Sequence, residues 1–181
     1  MKKLLFAGLM SLMVFVSQAQ FTKAELQATG LTCAMCNNAI NKALQALPFI
    51  QPVKSNIKNS SFLIVFKEGQ EPSPDAIKQA VEDAGFSVGR LELWGETNPL
   101  ELSADKHLSI GKSAFHFVGP DNKTLTPDTR VQVVDKGFLS MKQFKKISSA
   151  SKMACVQTGK AASCCADAGV PEQTRIYHIT I

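Results

Sequence analysis

The sequence is poor in charged and aromatic residues, and after its N-terminus it has no apolar run long enough to cross a membrane. Charged residues make up 19% of the 181 residues and aromatic residues 7%, with one tryptophan and one tyrosine. The net charge of +5 is mild and evenly spread, which argues against binding to nucleic acid or to a membrane surface. The sequence also lacks a catalytic triad, paired acid/base carboxylates in a recognisable motif and a phosphate-binding loop. It therefore does not indicate an enzyme.

The N-terminus has the parts of a secretory signal. Lys2 and Lys3 precede the apolar run Leu4–Val16, and Ser17 and Ala19 supply small residues after it. This pattern predicts cleavage after Ala19, and the run is short for a helix that must cross a bilayer core of about 30 Å. No cysteine follows the run, which argues against a lipid-anchored lipoprotein.

Loss of residues 1–19 removes two lysines and no acidic residue, which leaves 162 residues with a net charge of +3. We therefore expect an exported protein without a stable membrane anchor. It would be periplasmic in a Gram-negative bacterium and secreted otherwise.

The clearest chemical signal lies in the stretch from Gly30 to Ile40. Here Cys33 and Cys36 lie three residues apart, where a strand pattern gives way to a helical one. Unpaired backbone N–H groups at a helix start favour negative charge and so favour the thiolate, which is the metal-binding form of cysteine. Two thiolates form a soft chelate that suits Cu(I), Zn(II) and similar ions. Cys33 and Cys36 are therefore candidate metal ligands.

The hydrophobic pattern of residues 20–95 predicts four strands and two helices. The period-2 alternation of a strand and the period of an amphipathic helix distinguish the two types. The predicted elements are a strand at Ala24–Thr29, a helix ending before Pro48, strands at Val53–Ile57 and Phe62–Phe66, a helix from Ser73 to Gly85 and a strand at Val88–Trp94. This order predicts the ferredoxin-like arrangement, in which both helices cover one face of a four-stranded antiparallel sheet.

Over roughly residues 22–94 the sequence resembles the heavy-metal-associated domain family. The resemblance rests on the loop Gly30-Leu31-Thr32-Cys33-Ala34-Met35-Cys36, on the helix that follows it, and on Ala84-Gly85-Phe86 before the last strand. The family includes copper chaperones, tails of metal-exporting ATPases and the periplasmic mercury-binding protein. The resemblance implies that Cys33 and Cys36 bind one Cu(I), with Hg(II) or Zn(II) as alternatives. It also implies transfer of the ion to another metal-binding protein or to a transporter domain.

The sequence departs from the family at two positions. Leu31 stands where methionine is more common, a conservative exchange in volume and polarity. Phe86 stands where some soluble chaperones carry a charged residue or a tyrosine. No lysine at that position therefore offsets the negative charge of a bis-thiolate site.

Two other functions use the same residues. The cysteine pair is also compatible with a thiol–disulfide oxidoreductase, since thioredoxin-like proteins place such a pair at a helix start. No tryptophan precedes Cys33 and no proline separates the two cysteines, which favours metal binding. The domain can also act as a docking or scaffold module for a metal transporter. In an oxidising compartment the metal-free pair can itself become a disulfide.

A polar stretch with a glycine and a proline, Gly95–Pro99, predicts a boundary between domains at 20–95 and 96–181. The second domain reads as β-rich, with one or two strands at Leu108–Phe117, others near Val131, at Met153–Val156 and at Arg175–Ile181, and a helix from Ser140 to about Ala150. The order of elements resembles that of a small OB-like barrel. The whole chain is thus expected to be an α+β protein of two domains.

Three further cysteines, Cys155, Cys164 and Cys165, lie in the second half. They favour one disulfide, between Cys155 and either Cys164 or Cys165, that closes a short loop. The alternative is a second metal site, with Met153 or His178 as a fourth ligand. His107 and His116 are interpreted as packing or surface residues, because a lone histidine is seldom a ligand.

Overall fold

The computed structural model describes residues 19–31, 33–151 and 153–181. The expected signal sequence, apart from Ala19, lies outside the described residues. Within these ranges the strands are β1 Gln20–Thr29, β2 Lys54–Asn56, β3 Ser61–Val65, β4 Ser87–Glu96, β5 Leu100–Leu102, β6 His107–Ile110, β7 Ser113–Phe117, β8 Lys123–Leu125, β9 Val131–Val133 and β10 Ile176–Thr180. The helices are α1 Ala34–Gln45, α2 Pro74–Asp83, α3 Met141–Ala150 and α4 Ala154–Thr158, with short 3₁₀ helices at Ile57–Asn59 and Ser163–Ala168.

Apart from the short 3₁₀ helix, the elements from β1 to β4 have the predicted order of strand, helix, strand, strand, helix and strand. Strand β1 lies between β3 and β4 and pairs antiparallel with both, while β2 pairs with the outer edge of β3. Helices α1 and α2 contact each other, and their buried residues Ile40, Leu44, Ile77 and Val81 belong to the same core as the inward side chains of the strands. The ferredoxin-like prediction for this half is confirmed.

Local sequence accounts for these elements. In β1, buried Ala24, Leu26 and Ala28 alternate with side chains that are at least partly exposed, as a strand with one buried face requires. Helix α2 begins at Pro74, and the Ser73 hydroxyl caps it by accepting a hydrogen bond of 3.2 Å from the N–H of Ala76. A capped start with proline in the first turn is a strong helix signal.

The second half does not form the expected OB-like barrel. Strand β4 is the edge strand of the four-stranded ferredoxin-like unit, and β9 pairs antiparallel with it. The sheet then continues through β10 and β7 to β6. The result is one eight-stranded sheet in the order β2-β3-β1-β4-β9-β10-β7-β6, beside a separate ribbon of β5 and β8. The reason is that β4 offers unpaired backbone groups, which β9 satisfies.

The hydrophobic core is shared by the two halves. Phe21 of β1 meets Phe115 of β7 edge to face, with ring centroids 5.4 Å apart, and both side chains are buried. Gly95 and Glu96, placed in a linker from the sequence, are the last two residues of β4. The division at 95/96 stays a prediction, and the sheet and the core both continue across it.

Two short segments of the second half had been predicted in detail. Helix α3 follows the capping box expected at Ser140, whose hydroxyl accepts from the Gln143 N–H while the Gln143 side chain accepts from the Ser140 N–H. The strand expected at Met153–Val156 is wrong, because Ala154–Thr158 forms α4. Gly159, with φ +69°, ends this helix and donates its N–H to the Cys155 carbonyl. A short apolar run does not by itself distinguish a strand from a helix.

No helix among the described residues combines the length and apolar character needed to cross a membrane.

Candidate metal centre

The loop between β1 and α1 presents the Cys33–Cys36 motif at one end of the sheet. Gly30 ends the strand with φ +84°, a left-handed conformation that suits glycine because it has no Cβ. Leu31 then packs against the hydrophobic core. The chain is thus anchored just before the cysteines.

Cys33 is the N-cap of α1. Its backbone is extended, its carbonyl accepts from the Asn37 N–H at 3.2 Å, and its sulfur accepts from the Cys36 N–H at 3.3 Å. The Cys33 side chain is exposed and that of Cys36 is half-buried. Both thiols of the motif therefore belong to the first turn of one helix, and solvent reaches them.

The start of α1 has N–H groups but no acidic side chain beside the motif. The first turn of α1 carries no acidic residue, and N–H groups at a helix start bear partial positive charge. Met35 lies between the two cysteines with 83% of its surface exposed. A soft ion held here would thus be reachable by the thiolates of another protein.

Phe86 borders this loop, as the resemblance implied. It follows the turn at Gly85, which has φ +87°, and its ring lies 3.9 Å from the position of a Cβ on Gly30. Phe86 also packs against the core. The neighbour at this position is therefore apolar and offers no positive charge to the motif.

The structure brings together the three other cysteines. Cys155 lies in α4, and Cys164 and Cys165 lie in the 3₁₀ helix Ser163–Ala168, with all three sulfurs within 4.8 Å of one another. The Cys164 and Cys165 sulfurs are 3.7 Å apart. No disulfide is formed among the described residues. The pairing of Cys155 with Cys164 or Cys165 stays a prediction.

The histidines form a row that sequence reasoning missed. His107, His116 and His178 stand opposite one another on the neighbouring strands β6, β7 and β10. The His116 Nδ1 atom lies 3.5 Å from the Cys155 sulfur, and its Nε2 atom lies 3.2 Å from Asp105 Oδ1. His107, His116 and Cys155 also form a cluster of possible ligand atoms within 4.8 Å. The interpretation of His107 and His116 as isolated residues is therefore incomplete.

One sequence signal could have found part of this row. Gly111 and Lys112 form a two-residue connection between β6 and β7, with Gly111 at φ +62°. A tight hairpin at that point places His107 opposite His116. No comparable signal existed for His178, because its strand pairs parallel with β7 from far along the chain.

His178 and Met153, considered from the sequence as fourth ligands of a second metal site, differ in their surroundings. His178 Nδ1 lies 2.7 Å from Asp135 Oδ1, while its buried Nε2 atom has no hydrogen-bond partner. Met153 is half-buried and precedes α4. Among the described residues, His178 is not part of the groups of converging His, Cys and carboxylate ligand atoms, whereas Met153 packs against the cluster that contains Cys155 and Cys165.

Burial shifts the histidine pKa values. Burial, followed by the charges of His178 and His107, lowers the pKa of His116 to about 4. Burial and the charge of His178 also lower the pKa of His107. Both rings are thus neutral at pH 7, and a buried neutral histidine needs fewer hydrogen-bond acceptors than a charged one.

The thiols of the cluster differ from one another. Burial, followed by the neighbouring Cys164 and Cys165 thiols, raises the pKa of Cys155 well above its usual value. Burial alone would raise the pKa of Cys164 too, but the N–H groups of Cys155 and Ala154 bond to its sulfur and lower that pKa below its usual value. The buried Cys155 thiol therefore ionises less readily than an ordinary cysteine, and the half-buried Cys164 thiol ionises more readily.

Comparison with known proteins covers the first half of the chain. Residues 25–87 match the heavy-metal-associated domain family. Copper-transporting ATPase 1 of Rhizobium meliloti is 32% identical over 73 residues, which are 40% of this chain and 9% of that protein. The probable copper-exporting P-type ATPase of Archaeoglobus fulgidus is 31% identical over 77 residues, which are 41% of this chain and 10% of that protein. The chain thus spans about a tenth of the length of these relatives.

Among solved structures, the copper binding domain from HMA7, a P-type ATPase, is 28% identical to this chain. It matches 42% of this chain and 99% of its own chain, with a TM-score of 0.35. The matched segment includes Cys33, Cys36 and the step from α2 to β4. Residues 25–87 thus match the heavy-metal-associated domain family, and this part of the chain is similar in sequence to segments of copper-transporting ATPases.

Proposed function

We propose that this protein is an exported copper-binding and transfer protein, in which Cys33 and Cys36 hold one Cu(I). The observation that carries the proposal is the position of Cys33 as the exposed N-cap of α1, with the Cys36 N–H bonded to its sulfur. Thiolate ligands select soft ions, and Cu(I) is one of these. Zn(II) and Hg(II) are the alternatives. The relation of residues 25–87 to domains of copper-transporting ATPases supports the choice of copper.

Two sulfur ligands leave the ion open to attack. An incoming thiolate can bind before either original metal–sulfur bond breaks, so the ion passes on without being released into water. The exposure of Cys33 and Met35 supports this role, because a partner must approach the motif closely. The partner is another metal-binding protein or a metal-transporter domain with a similar thiolate pair.

The proposal is that of a binding protein rather than of an enzyme. A thiol–disulfide oxidoreductase would use the same pair, and it would act without metal. The two functions differ in one measurable respect. Disulfide reductase activity that persists in excess copper chelator would indicate the oxidoreductase. If a Cys33→Ser/Cys36→Ser variant still binds a transporter domain, the result would instead indicate a scaffold module.

Copper stoichiometry tests the proposed site. The reduced chain, without residues 1–19, is loaded with Cu(I) under anaerobic conditions and compared with Cys33→Ser/Cys36→Ser. The variant is expected to bind one ion fewer per chain. Met35→Leu is the matched control, because it changes the residue between the cysteines without removing a thiol of the pair. Equal copper content in wild type and the double variant would contradict the proposal.

Transfer needs a second measurement. Copper-loaded protein is mixed with a purified metal-free heavy-metal-associated domain, the two are separated, and copper is measured in each. We expect the ion to move faster than it dissociates to a chelator of equal affinity that lacks a thiol, because ligand exchange avoids a free ion.

Export is tested by N-terminal sequencing of the exported protein, which should begin at Gln20.

A further inference from the structure

The cysteines outside the Cys33–Cys36 motif occupy one small region. Cys155 and Cys165 are each 0% exposed, and Cys164 is half-buried beside them. Their sulfurs lie within 4.8 Å of one another although they come from two separate helices. We propose that Cys155, Cys164 and Cys165 form a second Cu(I) site with three thiolate ligands, independent of the proposed transfer site.

The sulfur spacing fits one shared ion. With metal–sulfur bonds of about 2.3 Å, two sulfurs on one ion are about 3.8 Å apart in tetrahedral geometry and about 4.0 Å apart in trigonal geometry. The Cys164 and Cys165 sulfurs are 3.7 Å apart, so this pair is already at the required spacing. The Cys155 sulfur, within 4.8 Å of both, reaches it by a shift of about 1 Å or less. Little of the fold has to change on binding.

The number of ligands favours Cu(I) over Zn(II). Structural zinc is almost always held by four ligands, and thiolates bind Cu(I) as well as zinc, so a set of only three thiolates fits Cu(I) better. Among the described residues, the group around Cys155, Cys164 and Cys165 contains no fourth histidine, cysteine or carboxylate within the same distance. His116 approaches only the Cys155 corner of the group.

The second cluster, made of His107, His116 and Cys155, is a poorer site. The rings of His107 and His116 stack with centroids 4.3 Å apart and planes 11° apart. Their in-plane lone pairs therefore lie in two separate, nearly parallel planes and do not converge on one ion. His116 is better described as a positioning residue, since Asp105 and the Cys155 sulfur lie at its two ring nitrogens.

Because this site is buried, its ion should exchange more slowly than the ion at the transfer site. An ion between Cys155 and Cys165 would be shielded from water and from the thiolates of a partner, with Cys164 as the side open to solvent. Such an ion stays with the protein, whereas the ion at exposed Cys33 is exchanged. We therefore expect a chelator to remove the second ion at least tenfold more slowly than the first.

The test uses the Cys33→Ser/Cys36→Ser variant, which lacks the transfer site. Reduced and anaerobic, it is expected to bind one Cu(I) per chain, and X-ray absorption at the copper edge should show three sulfur neighbours. Adding Cys164→Ser should remove the ion or reduce the sulfur neighbours to two. Cys164 is the suitable position because it is only half-buried, and Ser163→Ala is the matched control for a change in the same helix.

Circular dichroism must first show that each variant is folded. A folded double variant that binds no Cu(I), binds it mainly through nitrogen or oxygen, or binds Zn(II) in preference would overturn the second site. Failure of the two proposals can be told apart. If wild type binds one ion and loses it when Cys33 and Cys36 are replaced, only the transfer site exists. If wild type binds one ion and loses it only when Cys164 is replaced, only the buried site exists.

Discussion

Arg175 and Asp75, one hundred positions apart, are joined by two hydrogen bonds. Arg175 donates from Nε to Asp75 Oδ2 at 2.7 Å and from Nη2 to Asp75 Oδ1 at 3.1 Å. The Tyr177 hydroxyl also donates to Asp75 Oδ2, at 3.2 Å, and the guanidinium lies over the Tyr177 ring. Asp75 is in the first turn of α2, and Arg175 immediately precedes β10. This contact therefore connects the first half of the chain, which carries the Cys33–Cys36 motif, to the second half.

Asp75→Asn is expected to destabilise the protein by about 1 kcal/mol. Charged hydrogen bonds are worth more than neutral ones, but the pair is partly exposed and water screens it. The measurement is the free energy of unfolding in urea at pH 7. Glu82→Gln, an exposed change on the same helix, should have almost no effect. Equal effects of the two changes would show that the Asp75 contact contributes nothing specific.

The same substitution has a pH dependence of known sign. Burial alone would raise the pKa of Asp75, but the hydrogen bonds and charge of Arg175 lower it below its usual value. Stability from such a group is complete above the unfolded pKa of about 4 and is lost as the pH falls through the lower folded pKa. The difference between wild type and Asp75→Asn should thus be constant from pH 7 to about pH 5 and shrink below about pH 4.

Cys33 has two roles that substitution can separate. Serine at this position keeps an oxygen that can accept the Cys36 N–H, so Cys33→Ser should lose copper at the motif and retain its stability. Valine provides no acceptor, so Cys33→Val should lose copper and also about 1 kcal/mol of stability. Thermal unfolding of the metal-free proteins measures the second effect. A Cys33→Ser variant as unstable as Cys33→Val would show that the cap bond is not what stabilises the start of α1.

Gly95 tests whether β4 extends past the expected domain boundary. A Cβ on Gly95 would collide with the backbone of β1, with Phe21 Cα only 2.8 Å away. Gly95→Ala should therefore cost about 2 kcal/mol or more in unfolding free energy. On the same strand, a Cβ on Gly89 would meet one side-chain atom closer than 3.0 Å, the Thr29 methyl group at 2.7 Å, and no backbone atom that close. Gly89→Ala is the milder control, and a harmless Gly95→Ala would instead fit a flexible linker.

Thiol alkylation reports the exposure of the two cysteine groups. In the reduced, metal-free protein, Cys33 is exposed, whereas Cys155 is buried with a raised pKa. Because reaction requires an accessible thiolate, Cys33 should be labelled at least tenfold faster than Cys155, with Cys164 between them. Brief treatment with iodoacetamide followed by peptide mass spectrometry gives the order. Rapid labelling of Cys155 in folded protein would show that the buried cluster is open to solvent.

The first half of the fold was predictable because its signals are local. The alternation in β1, the cap at Ser73 and the spacing of Cys33 and Cys36 each lie within a few residues of sequence. A cap or an alternating strand specifies the element without knowledge of its neighbours. The same locality made Cys33 and Cys36 recognisable as a candidate site.

The second half was less predictable because its contacts join distant segments. Strand β10 pairs with β7 so that Ile176 stands opposite Ala114, and no turn or repeat between them signals the pairing. The sequence therefore showed Cys155, Cys164 and Cys165 as a group but did not reveal that His116 adjoins Cys155. The run at Met153–Val156 was equally compatible with a strand or a helix, and burial of Cys155 and Val156 accompanies the helix.

The position of β10 has a consequence for biosynthesis. Residues 176–180 fill the gap between β9 and β7, yet a ribosome releases them after every other strand of the sheet. Among the described strands, β7 and β6 pair with the rest of the sheet only through β10. Pairing across such long separations along the chain is slow. In a nascent chain the seam between β9 and β7 therefore stays open until β10 has been synthesised.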